Sequence, residues 1–312
     1  MQERPGPVPS AGQVLVDVRA AGVQFADLMA TQGLYPSAPR RPCVLGYEVA
    51  GVVAALGPGV DGVAVGDRVM AGTRFGGWAE QAVAGAGDLV PIAGGMGFEE
   101  AAAVPVAYGT AYAAVVRYGA VAAGERVLVH AAGGSVGLAA TQLAKARGAE
   151  VWGTASPGKH DRLRALGLDH PLGYDDEVRE RFDLVLDARG GASFRESYDR
   201  LRAGGRLIAF GASGVVGGAR RDLLRAARTV LRTPRFNLLK QMDASKAVIG
   251  LNLLELWDDH GTLAPFVDPL RAELEAGVVQ PVVSEVVPFA RAGDAVRALA
   301  ERRNLGKVVL VP

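Results

Sequence analysis

The stretch Val127-Leu-Val-His-Ala-Ala132-Gly-Gly134-Ser-Val-Gly137 leads from an apolar run into a segment whose Leu and Ala residues recur at helical spacing. Ala132, Gly134 and Gly137 occupy the three small positions of a dinucleotide fingerprint. Each has its own reason to be small: the first permits a tight turn, the second lets backbone approach a pyrophosphate, and the third lets helix pack on strand. A helix opening near Val136 would present the unpaired N–H groups of Ser135, Val136 and Gly137, with their partial positive charge, to phosphate.

Working outward, strand candidates flank this turn at Arg126 to His130, Glu150 to Thr154, Phe182 to Asp187, Arg206 to Phe210 and Ala247 to Leu251. Helical patterns at Val136 to Arg147 and Lys159 to Leu166 lie between them, which predicts a doubly wound parallel α/β sheet. An Ala-rich run, Glu99 to Val116, reads as a helix before this region. Residues 1 to 96 differ in texture, with short β-branched runs at Val14 to Val18, Val49 to Val53, Asp67 to Met70 and Asp88 to Ile92 cut by Gly and Pro. That spacing predicts a β-rich, barrel-like domain. Strand texture returns at Val282 to Val287 and Lys307 to Val311, which rejoin it. The expected division is therefore 1–97 with 254–312 as one domain and 98–253 as the other, in keeping with about two domains for this length.

Composition narrows the function classes. The formal net charge of +1 gives no chain-wide attraction to nucleic acid, so any anionic ligand must be caught locally. The single cysteine, Cys43, excludes an internal disulfide and a Cys-rich zinc site, and a reducing compartment fits. The start reads as no signal peptide and no stretch of about 20 apolar residues could span a bilayer, so a cytoplasmic location is expected.

An NAD site usually places Asp or Glu about 20 residues beyond the fingerprint, to accept from the ribose 2′-hydroxyl. Here the run is Val151-Trp-Gly-Thr154-Ala-Ser156-Pro-Gly-Lys159, with no acid. Ser156 and Lys159 can instead donate to a 2′-phosphate, which favours NADPH. Lys159 could also be a solvated first-turn lysine, and Ser156 a helix N-cap, a role compatible with the first.

These motifs, with Phe25-Ala-Asp27, Gly33-Leu-Tyr35, Leu45-Gly-Tyr-Glu48, Val65-Gly-Asp-Arg-Val69, Thr110-Ala-Tyr112, Asp187 with Gly190-Gly191, and Asn304-Leu-Gly-Lys-Val308, span nearly the whole chain. Together they resemble the zinc-independent medium-chain dehydrogenases/reductases of the quinone oxidoreductase family, in the branch of vesicle-membrane-protein homologues. The resemblance implies a discontinuous GroES-like β-barrel domain beside a Rossmann domain, with the active cleft between them. It also implies a cofactor set of Thr110, Ala132, Gly134, Ser135, Val136, Gly137, Thr154, Ser156, Lys159, Tyr174, Phe210, Gly211 and Asn304. Lining up the segments puts Gln24, Tyr47 and Val106 where zinc enzymes of the superfamily hold their metal, and none is a plausible zinc ligand. The expected metal set is therefore empty.

Without a metal, hydride can pass directly to an electron-poor carbon or quinone, and donors should face the oxygen that gains charge. Gln24, Tyr35 and Tyr47 are the candidates, although the family commonly has Asn in place of Gln24. Each tyrosine could equally be a packed aromatic, and Asp27 and Glu48 read as structural acceptors. His130 reads as a core or cofactor-wall residue. The leading expectation is an NADPH-dependent reductase of quinones or α,β-unsaturated carbonyls. Enoyl-thioester reduction and a non-catalytic NADPH-binding partner protein stay open. Ala247 to Leu251 resembles an edge strand through which family members pair, so a homodimer is expected. The resemblance also implies a strand before Gln13 to Ala20, where this chain has Pro-rich sequence. Finally, basic residues from Arg220 to Lys240 recur every three to four positions, as a solvated helical face or as a contact for acidic lipid, a carrier or a partner.

Overall fold

The computed structural model describes residues 3–92 and 94–312. In chain order the strands are β1 (Gln13–Val23), β2 (Glu48–Leu56), β3 (Arg68–Gly72), β4 (Gln81–Gly85), β5 (Leu89–Pro91), β6 (Arg126–Val129), β7 (Glu150–Thr154), β8 (His170–Leu172), β9 (Phe182–Asp187), β10 (Leu201–Ala209), β11 (Ala247–Gly250), β12 (Val283–Pro288) and β13 (Lys307–Val311). The backbone divides into two compact units, one of Met1–Gly109 with Leu253–Pro312 and one of Thr110–Asn252.

In the second unit the sheet order is β11-β10-β9-β6-β7-β8, with every neighbour parallel. Counted along the chain, that is the doubly wound order 3-2-1-4-5-6, which reverses between β6 and β9. Parallel strands covered on both faces become continuously apolar, and Phe182, Leu184, Val185 and Leu186 of β9 are all fully buried. On one face Leu128, Trp152, Phe182, Tyr198 and Leu207 form a single cluster. The helix Ser135–Ala146 follows β6 and buries Leu138, Ala139, Leu143 and Ala144 against the sheet.

In the first unit seven strands share one sheet, in the path β12-β13-β1-β2-β3-β5 with β4 also on β1. Along β1 alternate residues Val14, Val16 and Val18 are buried, the signature of a strand with one face on a core. The tail rejoins this unit, where β13 pairs with β1 and β12 with β13.

Several expectations need correction. The helix Glu99 to Val116 is broken: Phe98–Ala101 ends early, Pro105 opens a new helix to Tyr112, and a π turn covers Ala113–Arg117. Proline lacks the N–H that a continuous helix needs at Pro105, but it suits a first turn. The strand at Asp88 shortens to Leu89–Pro91, because Ala86–Asp88 closes a 3₁₀ turn. The basic segment is two helices, Leu223–Leu231 and Leu238–Ala244, parted around Pro234, so its cations do not share one helical face. The sequence does not anticipate β4 or β8.

Candidate cofactor turn and donor cluster

The fingerprint turn is shaped by what cannot fit. A Cβ on Gly137 would stand 2.4 Å from the Ala131 carbonyl oxygen and 2.8 Å from Ala132 Cα, and one on Gly134 3.3 Å from the same oxygen. One on Gly153 of β7 would meet Ala132 Cβ at 2.6 Å. Ala131 itself takes φ +57°, in the left-handed region. The first helical hydrogen bond runs from Leu138 N–H to the Gly134 carbonyl, so the N–H groups of Ser135, Val136 and Gly137 precede it at the helix mouth. This is a cradle with backbone donors and no side chain in the way, and it fits a pyrophosphate.

A buried relay holds the turn in place. Ser193 and Ser197 both donate to Asp187 Oδ2, at 2.7 and 2.6 Å, while Arg189 N–H donates to Oδ1 at 2.7 Å. Since Ser197 spends its proton on the carboxylate, its oxygen accepts from His130 Nε2 at 3.1 Å. His130 Nδ1 is then the acceptor for Thr154 Oγ1 at 3.2 Å, and that oxygen takes the Ala131 N–H at 3.3 Å. The ends of β6, β7 and β9 are thus tied together through one imidazole. Sequence reasoning placed Thr154 in the cofactor set; its hydroxyl is turned to His130 and Ala131. It missed the relay altogether, although a polar Asp187 ending an apolar strand was the available signal.

Register brings the 2′-phosphate candidates to one edge. Thr154 of β7 pairs with Leu172 of β8, so Ser156 and Tyr174 each lie two residues past that pair. Ser156 stands at the N-cap position of the 3₁₀ turn Pro157–Lys159 without a side-chain cap, and its carbonyl accepts the Lys159 N–H at 2.9 Å. Phe210 donates its N–H to the Asp187 carbonyl at 3.1 Å, and Gly211 lies where a Cβ would come within 2.9 Å of the Ala188 oxygen. Thr110 is buried, and Asn304, in the other unit, donates its side-chain amide to Gly306 O at 2.8 Å.

In the first unit Gln24, Val106 and Lys307 converge on one carboxylate, that of Glu48. Glu48 is fully buried; it accepts from Gln24 Nε2 and, at 2.7 Å, from Val106 N–H, and it pairs with the ammonium of buried Lys307. A carboxylate only accepts, so the Gln24 amide nitrogen must face it. Asp27 caps the helix Phe25–Thr31 by accepting Gln24 N–H at 2.8 Å, and it takes Gly46 N–H at 3.0 Å. It therefore fixes the backbone of Gln24 and the residue before Tyr47. Tyr47 is 4% exposed, packs on Phe75 at 4.6 Å and stands edge-on to Tyr35 at 6.2 Å. Its buried hydroxyl meets no partner at hydrogen-bonding geometry. Burial, and then the neighbouring Tyr35 hydroxyl, push its pKa well above the usual phenol range, so it stays protonated. Among the described residues, no three His, Cys, Asp or Glu side chains are grouped to hold a metal.

Two shifted groups give a pH signature. Burial raises Asp27 from 3.8 to about 7, against the pull of the Gln24 and Gly46 N–H groups. Burial lowers His130 from 6.5 to about 4, with Asp187 opposing. Between those limits folded Asp27 keeps a proton that the unfolded chain loses, so its contribution to stability falls as pH rises from about 4 to 7. Folded His130 lacks a proton that the unfolded chain holds, so its contribution rises from about 4 to 6.5. The two offset each other. The urea midpoint of Asp27→Asn is expected to climb with pH over that window, and that of His130→Gln to drop. Parallel profiles for both variants and the parent chain would contradict this assignment.

The comparisons follow the same geometry. A model of the alcohol dehydrogenase GroES-like domain matches residues 10–117, and one of the zinc-binding dehydrogenases matches residues 166–310. The synaptic vesicle membrane protein VAT-1 homolog of Rattus norvegicus is 38% identical over 324 residues, covering 100% of this chain and 80% of that protein. The quinone oxidoreductase of Thermus thermophilus, solved with and without NADPH, is 34% identical with a TM-score of 0.80, covering 100% of this chain and 95% of that one. A mycobacterial protein solved with NADPH superposes with a TM-score of 0.86 at 28% identity, covering 100% and 94% of the two chains. No helix among the described residues is long and apolar enough to cross a membrane. Sequence and fold together therefore place the chain in the medium-chain dehydrogenase/reductase family, as an NAD(P)-dependent, quinone-oxidoreductase-like enzyme of the VAT-1 branch.

Proposed function

We propose that the chain reduces a quinone or an α,β-unsaturated carbonyl with NADPH and without a metal. The observation that carries this reading is the Gly-shaped turn, together with the run Val151 to Lys159, which holds no acid and sets Ser156 and Lys159 just past β7. In this reading Thr110–Asn252 holds the cofactor. Bound at the turn, reduced nicotinamide would supply a hydride.

The protein's part is to position and to donate. The acceptor oxygen gains negative charge as its carbon is reduced, and the buried, protonated Tyr47 beside Tyr35 is suited to hydrogen-bond it. Gln24 holds its amide nitrogen on Glu48, and Tyr35 stands beside Tyr47 as a support to that donor. Tyr47→Phe is expected to lower kcat by about 100-fold while leaving NADPH affinity unchanged, the usual scale for one lost oxyanion donor.

The deciding experiment follows NADPH oxidation with a panel of quinones, enones and an enoyl thioester. Turnover of quinones or enones supports the proposal; turnover of the thioester alone selects a biosynthetic reductase, and binding without turnover selects a non-catalytic partner protein. Lys159→Ala is expected to weaken NADPH by about 10- to 100-fold and NADH far less, since a charge-assisted hydrogen bond is worth about 1.5–3 kcal/mol. Equal loss for both nucleotides would count against a 2′-phosphate contact. We further propose a cytoplasmic homodimer paired through β11, which ends the parallel sheet.

A further inference from the structure

Arg74 occupies a backbone position that suits glycine. Its φ of +57° lies in the left-handed region, where a residue with a Cβ carries strain and glycine carries none. Strain of this kind persists where the surrounding structure makes use of the side chain.

Residues 73–78 follow β3 and run beside 44–47. Thr73 donates its N–H to Tyr47 O at 2.8 Å and its hydroxyl to Gly46 O at 3.0 Å. Further on, the N–H groups of Gly76, Gly77 and Trp78 donate to the carbonyls of Val44, Gly46 and Leu45 at 3.0, 3.1 and 2.8 Å. The tip between these bonds, Arg74 and Phe75, is held differently. Phe75 turns its N–H back to Thr73 O at 2.6 Å and lays its ring against Tyr47, with centroids 4.6 Å apart and planes at 49°. Arg74 reaches to the helix Leu253–His260, where its guanidinium lies over the Trp257 ring, 5.1 Å from the centroid, and pairs with Asp258.

The platform under that guanidinium is rigid. Trp257 is 2% exposed, and a Cβ on Gly72 at the end of β3 would stand 2.4 Å from its ring and 2.6 Å from Leu263 Cδ1. An ion pair half in water adds little stability by itself. What it adds here is direction, because tryptophan is the best ring for a cation and the planar guanidinium can stack on it. Tyr35 borders Tyr47 edge-on at 6.2 Å, so a tip that swung away would leave the Tyr47 ring without its closest aromatic neighbour.

We propose, on the reading of Tyr47 as the donor to the acceptor oxygen, that Arg74 is a positioning residue for it: through Trp257 and Asp258 it fixes the loop tip, and through Phe75 it sets the direction of the Tyr47 hydroxyl.

Arg74→Gly tests this, since it removes the guanidinium and relieves the φ strain together. Its Tm should stay within about 3 °C of the parent, because those two changes oppose each other. With a quinone or enone as acceptor, kcat should fall about 10-fold or more while the KM for NADPH is unchanged, as for a misaligned donor. Arg74→Lys keeps a cation for Asp258 but not the planar stack, and should recover part of the loss. Tyr47→Phe/Arg74→Gly should be no slower than Tyr47→Phe alone, because no donor is left to position. The ring-proton NMR signals of Tyr47, identified by their loss in Tyr47→Phe, should shift in Arg74→Gly as the Phe75 ring moves. That readout needs no turnover, so a parent that reduces no acceptor counts against the proposed function while the Tyr47 signals still decide the role of Arg74. Arg74→Gly with parental kcat, Tyr47 signals that do not move, or losses that multiply in the double variant would overturn the proposal.

Discussion

Gly137→Val is expected to abolish useful NADPH affinity and to destabilise the cofactor unit. A Cβ at this position would sit 2.4 Å from the Ala131 carbonyl oxygen and 2.8 Å from Ala132 Cα, both backbone atoms that cannot swing aside. Valine adds two methyl groups to that clash. Overpacking of a rigid site costs about 1–3 kcal/mol, and moving Ala131 would break its N–H bond to Thr154, the end of the relay from Asp187. At about 1.4 kcal/mol per decade, the expected loss in NADPH affinity is on the order of 10- to 100-fold or more. Fluorescence titration with NADPH alongside urea unfolding would check both effects; near-parent affinity would show that the turn is softer than its contacts imply.

Lys307→Met is expected to cost about 3–5 kcal/mol, the usual scale for removing one partner of a buried ion pair. Glu48 is fully buried and Lys307 is 1% exposed, so neither charge can fall back on water. The carboxylate would keep only Gln24 Nε2 and Val106 N–H. The double variant Glu48→Gln/Lys307→Met should recover most of the loss, because no charge is then stranded, and a well-packed apolar replacement can equal or exceed a buried pair. Urea unfolding of the single and double variants reads this directly. A single variant within about 0.5 kcal/mol of the parent would mean that water reaches the carboxylate.

Much of this architecture could be read in the residues because local and global signals agree around β6. An apolar run, small residues at 132, 134 and 137, and a helical stripe all demand the same strand, turn and helix. β7, β9 and β13 were legible for a similar reason, being uninterrupted and rich in apolar or β-branched residues. β4 was not, since Gln-Ala-Val-Ala-Gly carries little strand propensity and its pairing with β1 supplies the stability. β8 is three residues long with a proline at its centre, and an outermost strand can tolerate that. In the donor cluster, Asp27 and Glu48 were readable as acceptors. That Lys307 would neutralise Glu48 was not, because the pair joins residues 259 positions apart and no local pattern records it. The relay through His130 was hidden for the same reason: Ser197 and Thr154 look like ordinary helix and strand residues until the sheet brings them together.

The pairing of Ala21 with Leu310 has a consequence for biosynthesis. As the nascent chain emerges, β1 meets β2 and β4 early but must leave the Ala21–Val23 part of its other edge open until translation has passed Leu310. Thr110–Asn252 is contiguous, so it can mature on the ribosome while its discontinuous neighbour still carries an unpaired strand edge, the kind of surface on which other chains can add.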